Sequence, residues 1–332
     1  MNISAYLRRV ARGKNGAESL SRQEAADVLA ALLQPGADSL QLGAFLIAER
    51  MKGESSEELA GFVDAARRHI DGFGDVHAPA RAVDIACYAG KRRAAPAYLV
   101  AALRAQQAGI PVLLHGMSHI VGRLSAWQAL QAAGVRRAGS LHEAGELLTG
   151  EGIAYLDLQD VCAPLHALTG LRPRLGVRTF SHTVARLLNP LCCEGQLNGV
   201  FHTPYVSLMT RANVLLGQPR SLIFMGAEGD PELYADRQKL LSAQQGDDVR
   251  ALVYAGTQCE PYPRQSETGT EKLLADFTRM LAGDAHEREV AVIRQMQRAI
   301  MFASGGSLSQ AWQEIDLKTD QEDDQEGTGG NE

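Results

Sequence analysis

VDIACYAGKRRAAPAYLVAALRAQQAGIPVLLHGMSHIVGRLSAWQALQAAGV, residues 83–135, is the stretch that decides the fold. It predicts a strand over 82–87, a tight basic loop over 88–93, a helix over about 95–108 and a second strand over 110–115. Two short apolar strands joined by a helix-length amphipathic segment make a βαβ crossover with a buried parallel pair. In such sheets the loops leaving the carboxyl ends of the strands build the ligand site. Here those loops are YAGKRR and GMSHIVGR. The first carries Lys91, Arg92 and Arg93 in a row, just before a helix N-terminus that itself favours anions. From Ile85 to His142 there is no Asp or Glu, whereas Lys91, Arg92, Arg93, Arg104, Arg123, Arg136 and Arg137 are all present. The ligand expected at this edge of the sheet is therefore an anion.

Upstream, the first 75 residues read as a helical unit. Ser21-x-x-Glu24 and Ser55-x-x-Glu58 are capping boxes, each opening an apolar-periodic run. A third helix begins at Ser39, and a short one is expected over 3–10. Four such helices bury little alone and should pack on the next domain or on a second copy of the chain. Downstream, Ser140-x-x-Glu143 starts a helix that ends at Gly150, and IAYLDL reads as a strand. Residues 161–193 again lack any acid. Within them a helix is expected over 177–188, placing Arg178, His182 and Arg186 at i, i+4 and i+8 on one face. A helix over 204–216, the strand SLIFMG, an acidic loop with Glu228, Asp230 and Glu232, two short strands and two C-terminal helices complete the pattern. The fold class is thus α/β, a small N-terminal helical domain followed by a larger domain with a mostly parallel central sheet. The expected division is 1–75, 76–312 and an acidic, disordered tail over 313–332.

The net charge of −6 is misleading. Residues 314–332 hold eight acids and one lysine, a net of −7, which leaves about +1 for the body. Distribution, not bulk charge, decides what such a surface attracts. No apolar run approaches the roughly 20 residues that span a bilayer. The polar N-terminus lacks a signal core, and five irregularly spaced cysteines without a C-x-x-C pair fit a reducing cytoplasm. Cys192 and Cys193 are expected to fill core.

Over almost its whole length the chain resembles the anthranilate phosphoribosyltransferase family. The clearest match is Arg172-Pro-Arg-Leu-Gly-Val-Arg-Thr-Phe followed by Asn189-Pro190, similar to the family's R-x-x-L-G-x-R-T segment ending in N-P. Leu197-Asn-Gly-Val200 and Phe224-Met-Gly-Ala-Glu-Gly229 match in place and order. The resemblance implies a helical domain that serves as a dimer interface and a phosphoribosyl pyrophosphate site between the domains. The catalytic motifs depart from that pattern. The pyrophosphate loop D-x-x-G-T-G-G-D stands here as Asp84-Ile-Ala-Cys-Tyr-Ala-Gly-Lys91, with larger side chains at three small positions and a charge reversal at the end. K-H-G-N-R stands as Leu114-His-Gly-Met-Ser118. The metal-binding Asp-Glu pair aligns with Pro231-Glu232.

These departures resemble the YbiB-type branch, which is described as binding nucleic acid without sequence preference. That implies a non-catalytic, dimeric DNA-binding protein with no cofactor, gripping phosphates through Lys91, Arg92, Arg93, Arg172, Arg174, Arg178, His182 and Arg186. The other class of function is an enzyme: a pentosyl transferase using magnesium and phosphoribosyl pyrophosphate, with Arg172 holding the carboxylate of an acceptor other than anthranilate. Plainer readings of the same residues are a solvated loop at 91–93, a solvent-facing helix stripe, and Arg172 and Arg174 paired with internal carboxylates. His115 and His119 have no ligand-spaced partner and are expected to be structural. The acids at 228, 230 and 232, with Pro231 between them, are expected to form a turn.

Overall fold

The computed structural model describes residues 2–13, 15–264, 267–308 and 312–315. Four helices open the chain: α1 (Ile3–Val10), α2 (Arg22–Leu32), α3 (Ser39–Lys52) and α4 (Ser56–Arg67). Both predicted capping boxes form at Ser21 and Ser55, whereas α3 is capped by Asp38, whose carboxylate accepts from the Leu40 and Gln41 N–H groups. The βα pattern then follows: β1 (Val83–Cys87), α5 (Ala97–Gln107), β2 (Val112–Gly116), α6 (Ala126–Ala132), β3 (Arg137–Ala138), α7 (Leu141–Gly150) and β4 (Ile153–Asp157). Four short helices come next: α8 (Leu158–Val161), α9 (Ala163–Thr169), α10 (Arg172–Leu175) and α11 (Ser181–Arg186). After β5 (Gly195–Val200), α12 (Pro204–Leu215) and β6 (Arg220–Met225) the chain turns back on itself through β7 (Lys239–Gln245) and β8 (Asp248–Tyr254). Helices α13 (Thr270–Leu281) and α14 (Glu287–Ala303) and a last strand β9 (Trp312–Ile315) finish the fold.

All nine strands lie in one sheet of order β3-β4-β2-β1-β5-β6-β7-β8-β9. The six from β3 to β6 in that order are mutually parallel, and β7 to β9 add an antiparallel flank. Alternate residues of each central strand enter two different cores, because successive side chains leave opposite faces. Val83, Ile85, Leu114 and Tyr155 join α5, α6, α13 and α14 on one face. Ala86, Leu113, Ala154 and Leu156 join the other face, whose core also takes in α1 to α4. The N-terminal helices therefore share a core with the α/β domain. Its centre is aromatic: Phe62 of α4 stacks on Phe180 at 4.1 Å, and Phe45 of α3 meets both rings edge-on.

Two expectations need correction. The helix over 177–188 shrinks to α11. Gly176 (φ 75°) closes α10 in the left-handed region and residues 177–179 form the turn, so Arg178 stands before α11. Arg178, His182 and Arg186 are consequently not one helical stripe. The tail begins later than residue 313, because Trp312–Ile315 pairs antiparallel with β8. The rest of the acidic segment, 316–332, lies outside the described residues.

Candidate anion-binding site

The site is built where the loops after β1, β2 and β6 meet at the carboxyl edge of the sheet, as the βαβ pattern predicts. The loop after β1 is held from both sides. Lys91 N–H donates to Leu124 O at 2.9 Å and Leu124 N–H donates back to Lys91 O at 2.7 Å. Gly90 (φ 68°) is needed there, since a Cβ would lie 3.1 Å from Arg123 Cβ and from Ile120 Cδ1. On the other side sits the acidic loop after β6. Ala89 N–H donates to Asp230 Oδ1 (2.9 Å), and Arg92 and Arg93 N–H donate to the two oxygens of Glu228 (3.1 Å each). Backbone donors of this kind cradle phosphate in other proteins. Here the protein's own carboxylates occupy them.

Lys91 is the largest departure from the sequence-based expectation. It is 1% exposed, and its Nζ lies 2.6 Å from Glu232 Oε1, 3.4 Å from Ala227 O and 4.0 Å from Glu228 Oε1. Burial alone would favour a neutral amine, but Glu232, Tyr262 and Glu228 hold its pKa above the ordinary lysine range. Lys91 therefore does not belong to a solvated basic loop and offers no free charge to a ligand. Arg92 is half-buried and pairs with Glu267 at 2.9 Å. Arg93 has no carboxylate partner among the described residues.

The second part of the site is a cavity of about 150 Å³ between α3, α11 and α12, lined by Arg50, Arg178, His182, Arg186, His202 and Tyr205 among others. Arg186 is 8% exposed; its guanidinium donates to His182 O (2.7 Å) and Gly229 O (3.4 Å) and lies over the Tyr88 ring. Burial and the nearby Arg186, Arg172 and Arg123 bring Arg178 down to about 10. Burial, with Arg186 and Arg178 beside it, pushes His182 down to about 3, so the imidazole is neutral at physiological pH. As a cationic contact His182 fails; as a neutral hydrogen-bonding group it lines the cavity. Arg172 and Arg174 are exposed on α10 and, among the described residues, make no ion pair, so the reading of internal pairing for them does not hold. Of the predicted set, the structure brings Arg178, His182 and Arg186 into one wall, with Arg172 near Arg178. Arg50 and His202 were missed: nothing local in the sequence sets them apart, and only the packing of α3 near α12 puts them there.

His115 is structural. Its Nδ1 lies 2.8 Å from Tyr88 Oη and its Nε2 3.2 Å from Asp84, which also accepts from Gln196. The chain Tyr88–His115–Asp84–Gln196 is fully buried under β1, β2 and β5.

A helical bundle on a mostly parallel sheet, with an arginine-lined cleft between them, defines a protein with a phosphoribosyltransferase-like fold. The glycosyl transferase family helical bundle domain matches residues 4–70. The chain belongs to the anthranilate phosphoribosyltransferase family. It is 31% identical over 233 residues to the anthranilate phosphoribosyltransferase of Methylobacterium nodulans, covering 70% of this chain and 67% of that one. It is 29% identical over 242 residues to the Escherichia coli (strain K12) protein YbiB, covering 72% and 74%. Among solved structures, the Thermus thermophilus enzyme superposes with a TM-score of 0.76 at 23% identity over 92% of this chain and 90% of that one. The Saccharomyces cerevisiae enzyme in complex with PRPP and Mg gives 0.72 at 17% identity, over 92% and 89%.

The residues present do not fit magnesium pyrophosphate. The backbone donors of the β1 loop are taken by Glu228 and Asp230, and an ammonium lies against Glu232. Among the described residues no group of three or more His, Cys, Asp or Glu side chains is arranged to hold a metal ion.

Proposed function

We propose that the protein binds the phosphate backbone of nucleic acid, DNA included, without reading sequence, and that it transfers no phosphoribosyl group. The observation that carries this reading is the gathering of Arg50, Arg172 and Arg178 around one cleft with no carboxylate paired to any of them among the described residues. Clustered, unpaired arginines repel one another, and a polyanion relieves that repulsion as its counter-ions are released. The competing reading, transfer from phosphoribosyl pyrophosphate to a carboxylate-bearing acceptor, draws support from the arginine-lined cavity but is opposed by the self-filled loop after β1. Sequence-independent binding follows from the chemistry: guanidinium groups at a cleft mouth meet phosphates, and Phe201, 52% exposed in the same cavity, offers a stacking face that any base can use.

The working unit in this reading is a homodimer joined through α1 and α3. A groove lined by Val10, Leu40, Gly43, Ala44, Ile47 and Met51 leaves Leu40 78% and Met51 79% exposed, a contiguous apolar face of the kind a second copy covers. Pairing would set two arginine clefts on one particle. The five free cysteines support a reducing, cytoplasmic setting; among the described residues no helix is long and apolar enough to cross a membrane. An anisotropy titration of labelled duplexes of unrelated sequence, repeated across salt concentrations, tests the reading. Affinity that tracks sequence rather than salt would overturn it.

A further inference from the structure

Three carboxylates, Glu228, Asp230 and Glu232, lie within one five-residue turn and are 5%, 1% and 2% exposed. Isolated buried carboxylates are strongly disfavoured unless a cation neutralises them. Burial pushes Asp230 and Glu232 upward, and Lys91 pulls both back. Asp230 Oδ2 is buried with no hydrogen-bond partner. The polar neighbours of the Lys91 ammonium are Glu232 Oε1 at 2.6 Å, Ala227 O at 3.4 Å and Glu228 Oε1 at 4.0 Å, and the Tyr262 ring lies 5.3 Å away. Two carboxylates and a carbonyl form the environment a hard cation seeks, the balance of its shell being water. The lysine stem reaches it from the loop after β1, 141 residues away in the chain.

We infer that Lys91 is a tethered counter-ion that takes the place of a divalent cation in the turn after β6. It clamps that turn to the loop after β1, so the anion-binding edge is assembled without metal. Glu228 of the same turn is held by Arg123 at 3.5 Å and by the Tyr262 hydroxyl, which donates to it at 2.7 Å, and it accepts from the Arg92 and Arg93 N–H groups. A bound metal ion leaves when chelated; this cation is covalently attached and does not. The inference concerns the assembly of the loop and stands whether or not the protein's ligand is nucleic acid.

The test is thermal unfolding in millimolar magnesium chloride against sodium chloride of equal ionic strength. Wild-type protein should unfold at the same temperature in both. Lys91→Ala removes the ammonium and opens room for an ion and its water. It should unfold roughly 5–10 °C lower in sodium chloride and recover about 2–4 °C or more in magnesium chloride. The double variant Lys91→Ala, Glu232→Gln lacks both charges and should show no magnesium-specific recovery. A magnesium-specific stabilisation of the wild type would overturn the inference. So would a Lys91→Ala variant that is indifferent to magnesium, or that folds in neither salt.

Discussion

Lys91 Nζ lies 2.6 Å from Glu232 Oε1, joining the loop after β1 to the turn after β6 inside the protein. The charge reversal at the end of the family's pyrophosphate loop is thus a structural exchange. One cation enters the sheet edge, and the carboxylates that would meet a metal meet an ammonium. The same turn sends Glu228 and Asp230 onto the backbone N–H groups of Ala89, Arg92 and Arg93. A pyrophosphate would have to displace two buried carboxylates from three N–H donors before it could bind, and each charge-assisted bond broken costs about 1.5–3 kcal/mol.

Purified protein mixed with phosphoribosyl pyrophosphate, magnesium and anthranilate should therefore yield no phosphoribosyl product. Fluorescence of the anthranilate chromophore follows the reaction directly. Turnover on the order of 1 per second, an ordinary enzymatic rate, would refute the self-filled loop as a barrier.

Replacing Arg172, Arg174 and Arg178 together with Ala should weaken binding to unrelated duplexes by a similar factor. The slope of log affinity against log salt should flatten by about 0.9 for each phosphate no longer neutralised. The first two residues are exposed and unpaired among the described residues, so the fold should be unaffected; circular dichroism checks this. Lys91 and Arg186, buried in the interior, are unsuitable for such a test.

Leu40→Asp with Met51→Asp should convert a dimer to a monomer, as read by light scattering at micromolar concentration. Both side chains stand largely in solvent in the single chain, so the change should leave the monomer's stability within about 0.5 kcal/mol. A wild-type protein already monomeric at that concentration would remove the dimer from the proposal.

Glu49 gives a pH dependence with a definite sign. The residue is fully buried on α3, 3.0 Å from Lys52 Nζ. Burial and the like charge of Glu58 raise its pKa to about 8, against the pull of Lys52. A carboxyl raised in the folded state binds its proton there while the unfolded chain has already released it. The stability it confers is full below the unfolded value near 4.5 and is lost as pH rises toward 8. Glu49→Gln should therefore be more stable than wild type at about pH 8, by a few kcal/mol at most, and lose that advantage near about pH 5. Urea unfolding at the two pH values measures this. His182 acts in the opposite sense: its pKa is depressed, so its neutral burial costs stability as pH falls below about 6.5, which the Gln variant shares and the comparison cancels.

The elements themselves were written locally. Ser21 and Ser55 with their glutamates open α2 and α4, and short apolar runs over 83–87 and 112–116 make a buried parallel pair. Each of these depends on neighbours within a few residues, which a sequence displays. What became of the charges did not. Lys91 and Arg92 sit side by side in one loop, yet one is neutralised inside by Glu232 and the other pairs at the surface with Glu267, because partners far along the chain choose between them. The expected helical stripe at 178, 182 and 186 did not form, because α11 starts only at Ser181, and the cavity that these residues line draws Arg50 and His202 from other elements. Helix and strand patterning are fixed by short-range sterics and periodicity. Whether a given lysine faces solvent or a buried carboxylate is an energy difference set by tertiary neighbours, and only the folded chain contains it.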